Sequence, residues 1–143
     1  MQDTKHFHSK EEADRFLHGL TGEYRELNHI NPELYTASGV KRGLRNADGT
    51  GVMAGLTQIG SVQGYYMEDG ERVPMPGRLI YRGINVEDLI RGFVSEKRFG
   101  FEETAFLLLL GRLPNQTELE EFTELLTELR PLPPMFTEDM ILK

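Results

Sequence analysis

The apolar run at residues 105–110, AFLLLL, constrains the fold of this chain more than any other part of the sequence. The run lies in a predicted helix from about Gly100 to Leu110, which Gly111 can end and Pro114 cannot continue. A helix with apolar side chains on every face is normally buried on all sides. We therefore expect a helical core built around it, with more covering surface than short amphipathic neighbours provide.

Amphipathic helices are predicted on the N-terminal side of this run. Ser9 and Glu12 form a capping box, and apolar residues follow at helical spacing. Gly19 and Gly22 are expected to weaken the far end of that helix, because glycine has a low helix propensity. Shorter helices are predicted at residues 32–35 and, capped by Asn85, at residues 86–92.

Further helices are predicted on the C-terminal side. Asn115 can cap one that Pro131 ends, and its apolar stripe is Leu119, Phe122, Leu125, Leu126 and Leu129. Thr137 is expected to cap a last helix, which the sequence carries for only about a turn before Lys143. Because a domain seldom stops there, we expect the N-terminal piece of a longer protein.

Glycine recurs from residue 38 to residue 83, and helical periodicity is lost there. Strands fit residues 51–59 and 79–81, and Asp69-Gly70 is a typical hairpin turn. We predict a mainly α chain with one or two small β-hairpins around residues 51–82. It divides into an N-terminal helical segment (1–37), a glycine-rich region with hairpins (38–83) and the truncated helical part of a large domain (84–143).

Composition excludes several classes of function. The net charge is -7 and no basic stripe is present, which argues against nucleic-acid binding. Cysteine is absent, so disulfides and thiolate metal sites are excluded. No apolar stretch reaches the roughly 18 residues that a membrane span needs, and the N-terminus lacks a secretory signal. We therefore expect a cytoplasmic protein without membrane contact.

Several short motifs favour turns over ligand sites. Residues 49–55, GTGVMAG, resemble a dinucleotide-binding loop but lack the strand and helix on either side. Residues 46–51 match the start of a calcium loop, whose twelfth position is Thr57 instead of glutamate. His6 and His8 could form a weak metal pair on a strand, but no third ligand lies nearby. We predict no metal site.

Basic residues next to the glycine-rich region leave two interpretations open. Lys41, Arg42 and Arg45 form a compact cluster that could bind phosphate or carboxylate, or could pair with the chain's many carboxylates. Arg82 lies between a predicted strand and a predicted helix, and we expect it to brace the structure.

Read in order, the segments resemble the citrate synthase family. The similar stretches are Gly43-Leu44-Arg45, residues 52–59, residues 76–84 (PGRLIYRGI) with the helix after them, and residues 101–115 (FEETAFLLLLGRLPN) with the helix after them. Each motif is common alone, whereas their combination in this order is specific. The resemblance covers the chain from about residue 34 to its end.

The resemblance implies a mostly helical homodimer that condenses acetyl-CoA with oxaloacetate, without a metal or redox cofactor. The family's catalytic His and Asp residues lie C-terminal to the matching segments, so no catalytic residue is assigned here and this chain alone is expected to be inactive. Arg45 matches a family arginine near bound CoA, although Asn46 departs from the usual glycine. A 2-methylcitrate synthase fragment and a non-catalytic helical scaffold or dimerisation module are the alternatives.

Overall fold

The computed structural model describes residues 7–40 and 55–142. Within those ranges the chain forms six helices and one three-stranded antiparallel sheet. The helices are α1 (Lys10–Leu27), α2 (Glu33–Ala37), α3 (Val86–Ser95), α4 (Phe101–Leu110), α5 (Gln116–Leu129) and α6 (Phe136–Leu142), and the strands are β1 (Gly60–Glu68), β2 (Glu71–Tyr81) and β3 (Ile84–Asn85). The mainly helical chain with a small sheet agrees with the expectation from sequence.

Helix α1 begins where the sequence predicts, but its cap differs in detail. The Ser9 hydroxyl accepts a hydrogen bond from the Glu12 N–H at 3.2 Å. The Glu12 carboxylate accepts from the N–H of His8 at 2.7 Å, not from that of Ser9. The helix also continues through both of its glycines to Leu27, because packing of its apolar face outweighs their low propensity.

Strands β1 and β2 form an antiparallel pair around a tight turn. Gly60 lies opposite Tyr81 at the open end, and Asp69 and Gly70 connect the strands at the other. Their φ angles are 50° and 85°, as two-residue turns that match the strand twist require. Glycine adopts such angles readily and aspartate tolerates them.

The strand predicted at residues 51–59 is wrong in the part that the structure describes. Residues 55–59 are not a strand, and residues 51–54 lie outside the described residues. The Ile59 N–H donates to the Thr57 hydroxyl at 3.1 Å, and the Gln58 amide donates to the His29 carbonyl at 3.3 Å. Just before β1 these side-chain bonds add to one backbone bond, in which the Arg82 N–H donates to the Ile59 carbonyl at 2.8 Å.

Strand β2 is much longer than the predicted strand at residues 79–81, and it contains Pro74 and Pro76. Proline cannot donate to a sheet, so it is tolerated where a strand has one neighbour. Strand β3 pairs only with Ile80 and Tyr81, which leaves the proline segment of β2 bonded on one side within the described sheet.

The caps of α3, α4 and α5 follow the sequence. The Asn85 side chain accepts from the Glu87 N–H at 3.1 Å, and α3 then extends to Ser95. Gly111 ends α4 with a φ of 74°. At α5, the Glu118 N–H donates to the Asn115 side chain at 3.0 Å and the Asn115 N–H donates back to the Glu118 carboxylate at 2.8 Å, which completes a capping box.

The two remaining helices start at positions other than those predicted. Helix α2 spans Glu33–Ala37, with Pro32 as its N-cap. Helix α6 starts at Phe136, so Thr137 is a helical residue and not the cap. The Phe136 N–H donates to the Pro133 carbonyl at 3.1 Å, which closes a turn ahead of the expected start.

The core lies where α4 meets α1 and α5. Phe106 has 0% exposure and packs edge-on against Phe122, with ring centroids 5.4 Å apart. Phe16 and Leu20 of α1 pack on the same cluster. Within the described residues α4 is not buried on every face, because Leu109 keeps 43% of its surface exposed, and incomplete cover by its short neighbours is what the sequence predicts.

Candidate functional site

A cluster of hydrogen bonds around Arg82 joins the sheet to the ends of two helices. The Arg82 Nε donates to the Leu108 carbonyl at 3.1 Å, and its Nη2 donates to the same oxygen at 2.9 Å and to the Asn28 side-chain oxygen at 2.5 Å. The Asn28 Nδ2 in turn donates to the carbonyls of Leu109 and Tyr24, at 3.0 and 2.8 Å. We call Arg82, Asn28 and these carbonyls the Arg82 clamp.

The Arg82 clamp satisfies the Leu108 and Leu109 carbonyls, which the C-terminal end of α4 leaves without helical partners. Arg82 itself has a φ of 47°, and Gly83 follows at 85°. A positive φ is unfavourable for arginine, so the hydrogen bonds and the turn into β3 must hold it there. The guanidinium is thus directed at protein carbonyls, which supports the bracing role expected from sequence.

Arg112, which follows α4, links α1 to α5. Its Nε lies 3.0 Å from the Glu23 carboxylate of α1, and its Nη1 and Nη2 lie 3.0 and 2.8 Å from the Glu118 carboxylate of α5. The guanidinium also lies 5.1 Å from the ring centroid of Phe106. Hydrogen bonding to Arg112, followed by that to the Asn115 backbone, lowers the pKa of Glu118 from its usual value of 4.5.

Glu103 is the one buried charged residue in the described part of the chain, with 9% exposure. Its Oε2 lies 2.7 Å from the Nη1 of Arg98, which also pairs with Glu96. Hydrogen bonding to Glu103 and then to Glu96 raises the pKa of Arg98 above its usual value. This ion pair ties the start of α4 to the segment that follows α3.

An apolar groove runs between α1, α4 and α5. Two lining residues carry a hydroxyl, Thr21 and Tyr24, and the Thr21 hydroxyl is used internally, because it donates to the Leu17 carbonyl at 2.8 Å. The groove therefore offers mainly apolar contact area, with few polar groups that could orient a substrate. Its lining consists of Leu17, Leu20, Thr21, Tyr24, Leu109, Leu110, Phe122, Leu125, Leu126 and Leu129.

Comparison with known proteins identifies the family. The family model described as "Citrate synthase, C-terminal domain" matches residues 43–143. This chain belongs to the citrate synthase family. Comparisons with curated proteins and with solved structures gave no match.

The segments that resemble the citrate synthase family have structural roles in this chain. Arg82 and Gly83 form the turn between β2 and β3, and the Arg82 side chain makes the clamp. The segment FEETAFLLLLG is α4 with its glycine cap, and Asn115 begins α5. The family pattern in the described residues therefore specifies a helical framework.

The residue assigned to CoA, Arg45, lies outside the described residues, as do Lys41 and Arg42. His6 also lies outside them, whereas His8, His18 and His29 occupy exposed positions. Across residues 7–40 and 55–142, no group of three or more His, Asp or Glu side chains is placed to hold a metal ion. In the same ranges, every helix is too short or too polar to cross a membrane.

Sequence reasoning missed Asn28, which connects α1 to the Arg82 clamp. It is the C-cap residue of α1, and its backbone N–H donates to the Tyr24 carbonyl at 3.0 Å. An asparagine directly after an apolar periodic stretch is a helix-ending signal that could have been recognised. The hydrogen bond from Asn28 to the Leu109 carbonyl could not have been predicted, because it joins residues 81 positions apart in the sequence.

Proposed function

We propose that this chain is the N-terminal portion of a citrate synthase, which condenses acetyl-CoA with oxaloacetate to give citrate and CoA. The observation that carries the proposal is the family match over residues 43–143. The matched description names the C-terminal domain, so the N-terminal placement rests on the order of the motifs in the sequence. A cytoplasmic location belongs to the same proposal.

In this proposal the chain supplies framework and not chemistry. Condensation needs an acid–base pair, and the family resemblance places the catalytic His and Asp after the motifs found here. His8, His18 and His29 precede the matched stretch and lie at exposed positions. Arg82 and Glu103 are engaged in internal hydrogen bonds and ion pairs. We therefore expect the isolated chain to be inactive.

The test is a thiol-release assay with acetyl-CoA and oxaloacetate, run beside a complete citrate synthase as the positive control. We expect no release of CoA above the rate without oxaloacetate. Turnover that depends on oxaloacetate would overturn the inactive-chain proposal. A parallel assay with propionyl-CoA tests the 2-methylcitrate synthase alternative in a full-length synthase that contains this chain. If that enzyme turns over propionyl-CoA faster than acetyl-CoA, the 2-methylcitrate synthase assignment replaces the citrate synthase one.

Arg45 is proposed to contact CoA in that full-length enzyme, because it lies within the family-matched stretch and its guanidinium suits phosphate. Arg45→Ala should raise the KM for acetyl-CoA and spare that for oxaloacetate. Arg42→Ala is the matched control, since it removes a neighbouring positive charge. An unchanged KM for acetyl-CoA in Arg45→Ala, or an equal increase in Arg42→Ala, would remove the assignment.

A second candidate function is a non-catalytic scaffold that self-associates, for instance as a homodimer. The exposed apolar groove favours it, because a continuous apolar surface gains stability when another surface covers it. Light scattering of the purified chain tests this candidate, and we expect a mass above that of the monomer. A monomer at all concentrations, with ordered side-chain signals, would contradict it.

A further inference from the structure

We draw no further inference here: the strongest candidate, the apolar groove between α1, α4 and α5, belongs to the surface already described, and nothing in the described residues shows what covers it.

Discussion

The helical unit of α1, α4 and α5 and the β1–β2 hairpin are stabilised in different ways. In the helical unit Phe106 and Phe122 are buried, and residues far apart in sequence meet through Arg82 and Arg112. In the hairpin Val62 is 83% exposed, and the ring of Tyr65 lies 5.0 Å from the Arg72 guanidinium. The helical unit thus depends on tertiary burial, whereas the hairpin depends on its backbone ladder and turn.

The variant with the largest expected effect tests whether the helical unit depends more on buried side chains than the hairpin does. Phe106→Ala should lower the free energy of unfolding by about 3–5 kcal/mol, because it removes a fully buried ring and leaves a cavity. Val62→Ala, the control in the hairpin, should change it by less than about 0.5 kcal/mol. Urea unfolding followed by circular dichroism measures both. Equal losses for the two variants would show that the comparison is wrong.

The Arg82 clamp should give the next largest effect. Arg82→Ala leaves the Leu108 carbonyl and the Asn28 side-chain oxygen without their donor, at a cost of about 1–3 kcal/mol. Arg91→Ala is the control, because Arg91 is an exposed helical arginine paired with Asp88 at 3.1 Å and should cost at most about 0.5 kcal/mol. Urea unfolding measures both variants. If Arg82→Ala lowers the free energy of unfolding no more than Arg91→Ala does, the Arg82 clamp stabilises the fold no more than a surface ion pair.

Substitutions at two glycines test whether the hairpin and the helical unit are stabilised independently of each other. Gly70→Ala places a side chain at a φ of 85°, which costs about 1–2 kcal/mol and should open the hairpin locally. Gly19→Ala meets open space within α1 and should stabilise the helical unit by about 0.5–1 kcal/mol. Amide hydrogen exchange locates each effect. Faster exchange in α4 than in β1 after Gly70→Ala would contradict the independence of the hairpin.

The smallest expected effect is a pH dependence of stability that arises from an ion pair in the helical unit. Because the pKa of Glu118 is lowered in the folded chain, its ion pair stabilises above the usual value of 4.5, and this contribution is lost as pH falls through the folded pKa. Glu118→Gln should lower the Tm near pH 7, and the difference from the unsubstituted chain should shrink once the pH falls below the lowered pKa of Glu118.

A double-mutant comparison checks the source of that dependence. In an Arg112→Gln background, Glu118→Gln should have a smaller effect on Tm near pH 7, because the largest cause of the lowered pKa has been removed. Thermal unfolding over the same pH range measures it. An undiminished effect would assign the acid dependence to the cap at Asn115 instead.

Prediction from sequence succeeded where the signal is local. The caps at Asn85, Gly111 and Asn115 each depend on a few neighbouring residues, and each forms as predicted. It failed where distant contacts decide, as in the continuation of α1 past its glycines and the hydrogen bond from Asn28 to Leu109. The one site residue assigned from sequence, Arg45, remains a prediction because it lies outside the described residues.

By itself the sequence determined the main helices with their caps, the turn at Asp69 and Gly70, and membership of the citrate synthase family, since these depend on residue order and local chemistry. Only the tertiary structure decided that Asn28 meets Arg82, and which face of α4 stays open. The physical reason is that such contacts depend on how three helices pack together, which local propensity does not specify.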